Sequence, residues 1–422
     1  MKLSKKCGVI RIGTRSTGSQ WGLLLVFYLL LWQSPLEGVH SVFKYVDEAA
    51  GLIGVAVYTY RTLVTGKLRM KLGTAGVVLC LIVFLISGVI GNMLFQYQPT
   101  RYVLIDLYTN IKFYLCIVTG YVLFRNCREE TKQLIASHAR AMAVIFFVML
   151  LLDQTLHVFH SPESRYGLRV SALAHRHATY LAGSMVFLIT VMTAFYNKKN
   201  WPYIGMSLIV LFFTLRSKAI AGAAVYVLLV YFILVYRKKL KLWHLVVMGI
   251  AVIWLAWGNY SYYYIELEGQ SARSVLTQTS FEILKDYFPI GTGFGTYGSA
   301  VAGEHYSPVY VKYGFLQVYE LGGNDSGWGF FSDTFWPIII GQTGFIGIAC
   351  YLMVVAMLFL QILRIRRYDM YAYIASLFIF SYIMISSTSE PAFNNSVTIP
   401  LAVMLGYTFS LSLPMDKIKM GN

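Results

Sequence analysis

Apolar runs about twenty residues long recur along this 422-residue chain, and a run of that length spans the hydrocarbon core of a bilayer as a helix. Twelve are predicted, near 21–40, 43–64, 73–95, 104–124, 139–159, 178–196, 201–216, 219–236, 242–258, 335–361, 371–388 and 396–414. Gln33, Pro35 and Glu37 interrupt the first. A soluble fold is excluded by charge. Only 13% of the residues are charged, against about 25% in a soluble domain. The 27 Phe, 32 Tyr and 8 Trp are too many for a disordered or fibrous chain. The expected fold is an all-α polytopic membrane protein forming a single unit over 1–422, with no internal repeat or low-complexity tract.

The formal net charge of +16 would suggest nucleic-acid binding in a soluble protein. In a membrane protein it first reflects the excess of Lys and Arg in cytoplasmic loops. With the N-terminus inside, 24 of the 35 Lys and Arg fall on the inner side, in segments such as Arg61 to Lys71, Arg125 to Arg140 and Arg237 to Lys241. Of the acidic residues only Glu129, Glu130, Asp369 and Asp416 fall there. Both termini are therefore expected in the cytoplasm, and no nucleic-acid partner is. No cleavable signal peptide is expected, because no small-residue cleavage site closely follows the apolar stretch from Trp21. Cys7, Cys80, Cys116, Cys127 and Cys350 fall in spans or inside, without metal-ligand spacing.

One connection is long. Residues 259–334 are predicted to form a large extracytoplasmic loop, and loops of that length in compact proteins are usually functional. Val275, Leu276, Ile283, Leu284 and Tyr287 give Ser274–Tyr287 the pattern of a lid-like amphipathic helix. Arg165, Arg169, Arg176, Arg216, Lys218 and Arg273 fall on the outer side, against the positive-inside bias. For any one of them snorkelling or pairing with a loop carboxylate is the simpler account. For the set an anion site is favoured, since guanidinium forks match phosphate oxygens, and a diphosphate is one candidate.

Other residues have two readings each. Asp333 precedes Trp336-Pro337 at the mouth of the tenth span and suits a general base, while Ser332 or Asp333 suits a helix N-cap, and the two roles are compatible. His175 and His177 read as structural. His305 sits beside Glu304 in the long loop. Gly291 to Gly298 lacks the strand–helix context of a nucleotide motif, but its glycines allow close backbone approach to a ligand or a helix. Asp47, Glu48, Asp106, Lys112 and Asp153 lie within spans and should face the bundle interior or a cavity. Glu390 is a further candidate for the site. No HExxH or paired Cys/His spacing occurs, so no metal is expected.

Several segments resemble the O-antigen ligase and polymerase superfamily. Thr214-Leu-Arg-Ser-Lys-Ala-Ile-Ala-Gly222 is similar to its Arg-Ser segment opening a span. Arg273 followed by Pro289-Ile-Gly-Thr-Gly-Phe-Gly295 is similar to its Arg … Pro-hydrophobic-Gly-x-Gly-x-Gly stretch. Ser332-Asp-Thr-Phe-Trp-Pro337 with Gly341-Gln-Thr-Gly-Phe-Ile-Gly347, and Arg169 to His175 running on to Tyr180-Leu-Ala182, resemble two more of its segments. The matches run in order from about residue 165 to 350.

The resemblance implies a C-type glycosyltransferase-like membrane fold in the bacterial cytoplasmic membrane. It also implies a Wzy-type polysaccharide polymerase for O-antigen, capsule or exopolysaccharide. Such an enzyme transfers a glycan from undecaprenyl diphosphate to the next lipid-linked repeat unit, without metal, nucleotide or other cofactor. A chain-length regulator is a further partner it allows. Arg216 and Arg273 match the family's diphosphate-binding arginines, and Arg169 matches more loosely. Ligases carry His where Ser332-Asp333 stand, which disfavours a ligase. Asp333 is the preferred base, with His305 and Glu304 as alternatives. Tyr297, Tyr306, Tyr310, Tyr313, Trp328 and Trp336 are candidates to stack on sugars or to form an interfacial belt. A lipid-linked oligosaccharide flippase is the alternative from another class.

Overall fold

The computed structural model describes residues 17–65, 72–125, 127–159, 163–236, 261, 271–318, 320–322 and 330–412. The helices are α1 (Thr17–Val39), α2 (Val46–Thr65), α3 (Leu72–Phe95), α4 (Thr100–Phe124) and α5 (Glu129–Leu156), then α6 (Ala178–Ala194), α7 (Trp201–Phe213) and α8 (Ser217–Val230). After them come α9 (Ala272–Asp286), the short α10 (Ala300–Glu304) and α11 (Pro308–Lys312), α12 (Trp336–Ile365), α13 (Met370–Ser386) and α14 (Ile399–Ser410). A helix stands on every expected run except that near 242–258, which lies outside the described residues. One small β-hairpin, β1 (Ser164–Arg165) paired with β2 (Leu168–Arg169), departs from the all-α expectation. Tyr166 and Gly167 turn it with positive φ, as a two-residue hairpin requires.

Six of the described helices are long and apolar enough to cross a membrane: α1, α3, α4, α5, α12, and α8 with its π-helical continuation to Val235. The exposed faces of these helices support that environment. On α3 the buried stripe is Val77, Cys80, Phe84 and Ser87, while Leu79, Ile82, Ile86, Ile90 and Met93 form the exposed stripe. A soluble helix would carry polar groups there. The shorter α6, α13 and α14 are apolar and mostly buried on all sides, so they form the centre of the bundle. A methyl at Gly120 of α4 would collide with the Val403 carbonyl of α14, so the glycine permits that close helix contact.

Charges within the helices face other protein groups, as burial among apolar helices demands. Lys112 Nζ lies 2.6 Å from Asp47 Oδ2 and 3.8 Å from Glu48, and Gln33 Nε2 donates to Asp47 at 3.0 Å. Asp153 is fully buried and accepts from Ser171 Oγ at 2.9 Å.

The glycine-rich segment is a wedge. Residues 291–299 are buried, and Gly291, Gly293, Gly295 and Gly298 all have positive φ. The wedge lies between α3, α4 and a break in α12 at Gly344, where φ/ψ is 61°/−156°. Thr292 N donates to Gly341 O at 3.0 Å and Gly293 N to Gln342 O at 2.8 Å. Asn92 of α3 both donates to Phe294 O and accepts from Phe294 N, and Asp106 of α4 accepts from Gly295 N at 2.8 Å. Non-helical backbone among membrane helices must be satisfied by protein in this way. A Cβ on Gly291 would stand 2.5 Å from Gly344 N, and one on Gly344 would stand 2.5 Å from Gly291 N. Of the two uses the sequence allowed for these glycines, the structure shows approach to a helix.

The described part of 271–334 has its own core. Leu276 and Ile283 of α9 pack with Tyr297, Val309, Tyr310, Phe315 and Phe331. The amphipathic helix expected at 274–287 is α9.

Candidate functional site

Two helix N-termini carry the cations that matter most. Arg216 is the N-cap residue of α8 and Lys218 lies in its first turn. Arg273 lies in the first turn of α9. The helix macrodipole opposes cations at an N-terminus, where it favours anions. The backbone entering α8 is also strained: Leu215, buried and non-glycine, has φ 49°, a conformation that costs free energy and clusters at functional positions. This turn sets the direction of Arg216.

Each cation meets a carboxylate. Arg216 Nη2 donates to Glu163 Oε2 at 2.8 Å, and Glu163 also receives Arg165 at 2.6 Å. Lys218 pairs with Glu390, both about nine-tenths buried. Arg273 Nη2 donates to Asp333 Oδ2 at 3.2 Å. The pairs form one electrostatic group: Lys218 feels Arg216 and Arg273, and Asp333 feels Lys218 and Glu320 besides Arg273. Glu320 accepts from the Ala272 amide at 2.6 Å, completing the cap that Ser271 begins on α9. Desolvation pushes the Asp333 carboxyl above its ordinary value, against the pull of Arg273.

His177 accepts from Arg216 at 2.7 Å through Nε2. Partial desolvation, then the charge of Arg216, hold it down to about 4, so at neutral pH it is an uncharged acceptor that orients Arg216. Burial pushes His175 down to about 3. It bonds Ser184 Oγ at 2.9 Å and stacks with Trp32.

Other expected residues fall elsewhere. Arg169 lies 3.6 Å from Asp153 and donates to the Phe159 carbonyl, so it neutralises the buried carboxylate of α5. Glu304 and His305 are exposed at the end of α10, where His305 stacks on Tyr102 of α4 with ring centroids 3.6 Å apart. Among the described residues, no hydrogen bond or ion pair joins either one to Arg216, Arg273 or Asp333.

Two expectations need correction. α12 begins at Trp336 without a side-chain cap, so Asp333 is no N-cap: Pro337 sets the first turn and Asp333 turns to Arg273 instead. Tyr297 and Tyr310 are fully buried and present no ring face to a sugar. The Tyr297 hydroxyl donates to Leu276 O, and that of Tyr310 accepts from Gly298 N. Tyr306 and Tyr313 are half-buried, Trp336 donates to Ser387 Oγ at 3.1 Å, and Trp328 lies outside the described residues.

No protein-family model matches this chain, and no curated protein matches it.

Glu163 and Glu320 were not singled out in the sequence. Glu163 stands two positions before Arg165, a weak local signal. Glu320 has none, because its partner amide is 48 residues away.

Proposed function

We propose that the protein is a polysaccharide polymerase of the cytoplasmic membrane, with twelve spans, both termini cytoplasmic and the Arg216–Arg273 site on the outer face. The donor is a glycan on undecaprenyl diphosphate and the acceptor is the next lipid-linked repeat unit. The acceptor hydroxyl attacks the anomeric carbon as its proton passes to Asp333. The bond from that carbon to the diphosphate oxygen breaks, and its electron pair leaves with undecaprenyl diphosphate. Arg216 and Arg273 stabilise the charge developing there. Direct displacement inverts the anomeric centre. Arg169 supports the site from behind by holding Asp153.

The observation that carries this reading is Arg273 of α9 paired with the desolvated Asp333, with Lys218 of α8 acting on the same carboxyl. The order of segments shared with the O-antigen ligase and polymerase superfamily supports it. The ligase reading needs a catalytic His at the mouth of α12, and His305 instead stacks on Tyr102. The flippase reading draws on the break in α12, since transporters use discontinuous helices. Those come as matched pairs in two halves, and the described residues before α12 contain no matching break.

The test uses Arg273→Ala and Asp333→Ala proteins with purified lipid-linked repeat units. Long chains should disappear from both while the proteins remain folded and inserted. Unchanged chain length in both overturns the site.

A further inference from the structure

The three cation–carboxylate pairs differ in how readily they open. In Arg216–Glu163 the side chains are 17% and 37% exposed, and in Arg273–Asp333 they are 21% and 34% exposed. In both, the guanidinium is the more buried member and the acid sits toward water. In Lys218–Glu390 the values are 11% and 10%. Opening that pair strands two desolvated charges, which is costly. A dianion arriving here must exchange with a resident acid, and it does so where the acid has water to turn into.

We propose that the donor diphosphate displaces Glu163 from Arg216 and Asp333 from Arg273, and that this exchange makes Asp333 an effective base only in the loaded site. The inference rests on the diphosphate reading above. Lys218–Glu390 stays closed as a neutral floor. With Arg273 beside it, the rise that desolvation gives the Asp333 carboxyl is partly offset. After exchange it faces the dianion and Glu320, and Lys218 remains tied to Glu390. Losing an opposite charge and gaining like charges both favour the protonated form. The carboxyl therefore moves toward the working pH, where a general base performs best. Deprotonation of the acceptor is thereby tied to donor binding, and the empty site does not activate water. When undecaprenyl diphosphate leaves, Arg273 returns to Asp333, which passes its proton to solvent.

The full-length protein in nanodiscs is titrated by calorimetry with symmetric dimethyl diphosphate, a diester whose two charges do not titrate near neutrality. Buffers of different ionisation enthalpy at about pH 6 count the protons exchanged. Wild type should show net proton uptake on binding the diphosphate. In a His177→Gln background, where the imidazole beside Arg216 takes up no proton, Asp333→Asn should abolish the uptake yet bind about two- to fivefold more tightly, because a competing ion-pair partner is gone. Glu163→Gln should also bind more tightly while keeping the uptake. Weaker binding by Asp333→Asn, or uptake that persists in it, overturns the exchange. Wild-type binding without uptake overturns this inference alone and leaves the diphosphate reading standing. No wild-type binding at millimolar diester overturns both.

Discussion

Arg273 and Asp333, 60 positions apart, meet at 3.2 Å and join the start of α9 to the entrance of α12. A cation in the first turn of a helix works against the backbone dipole. The partial exposure of both side chains leaves the pair accessible to ligand.

Arginine and lysine are not equivalent at this position. A guanidinium engages two phosphate oxygens as a fork, whereas an ammonium acts as a point charge. Arg273→Ala should reduce chain elongation at least about 100-fold, and Arg273→Lys should recover only a minor part. Full recovery by lysine, measured as repeat units joined per minute, removes the bidentate role.

The Lys218–Glu390 pair should show the energetics of buried charge. Lys218→Met or Glu390→Leu alone leaves one uncompensated charge and should cost roughly 3–5 kcal/mol. The double variant should be more stable than either single one. Thermal unfolding in detergent measures this, and additive losses in the double variant contradict the pairing.

Gly344→Ala should prevent accumulation of folded protein. Its Cβ would meet the backbone of Ile290 and Gly291, and its positive φ adds strain, together at least about 3 kcal/mol. Gly205 of α7 has open space around it, so Gly205→Ala should leave yield unchanged or slightly raised. Size-exclusion profiles of the two variants check the wedge.

Stability should fall with acid through His175. Below the ordinary histidine value of 6.5, the unfolded chain takes a proton that the folded chain refuses until about 3. Stability from this group is therefore flat above pH 6.5 and declines as pH drops through that window, by on the order of 3 kcal/mol at pH 4. His175→Gln should flatten the decline. An unchanged profile in the variant assigns the acid sensitivity elsewhere.

The helices were legible because apolar run length is a local property, and so was α9, whose buried positions repeat every three or four residues. Arg216 and Arg273 stood out because their sign opposed their expected side. What they touch was not legible, since Glu163 and Glu320 reach their partners through the fold. Gly291 announced a close approach, but the other half of that contact, Gly344, lies beyond α10 and α11 in the chain. Tyr297 and Tyr310 read as surface aromatics because nothing local shows that the described part of 271–334 packs around them. Asp333 fitted a helix start by spacing, and only the position of Arg273 decided its partner.

The most direct test is reconstitution of the wild-type protein in vesicles with a defined lipid-linked repeat unit, following the glycan and the lipid together. The polymerase account predicts glycans of many repeats, with one undecaprenyl diphosphate released for each new linkage and inversion at the joined carbon. Movement of the intact lipid-linked unit between leaflets, with no new linkage and no released diphosphate, would contradict it.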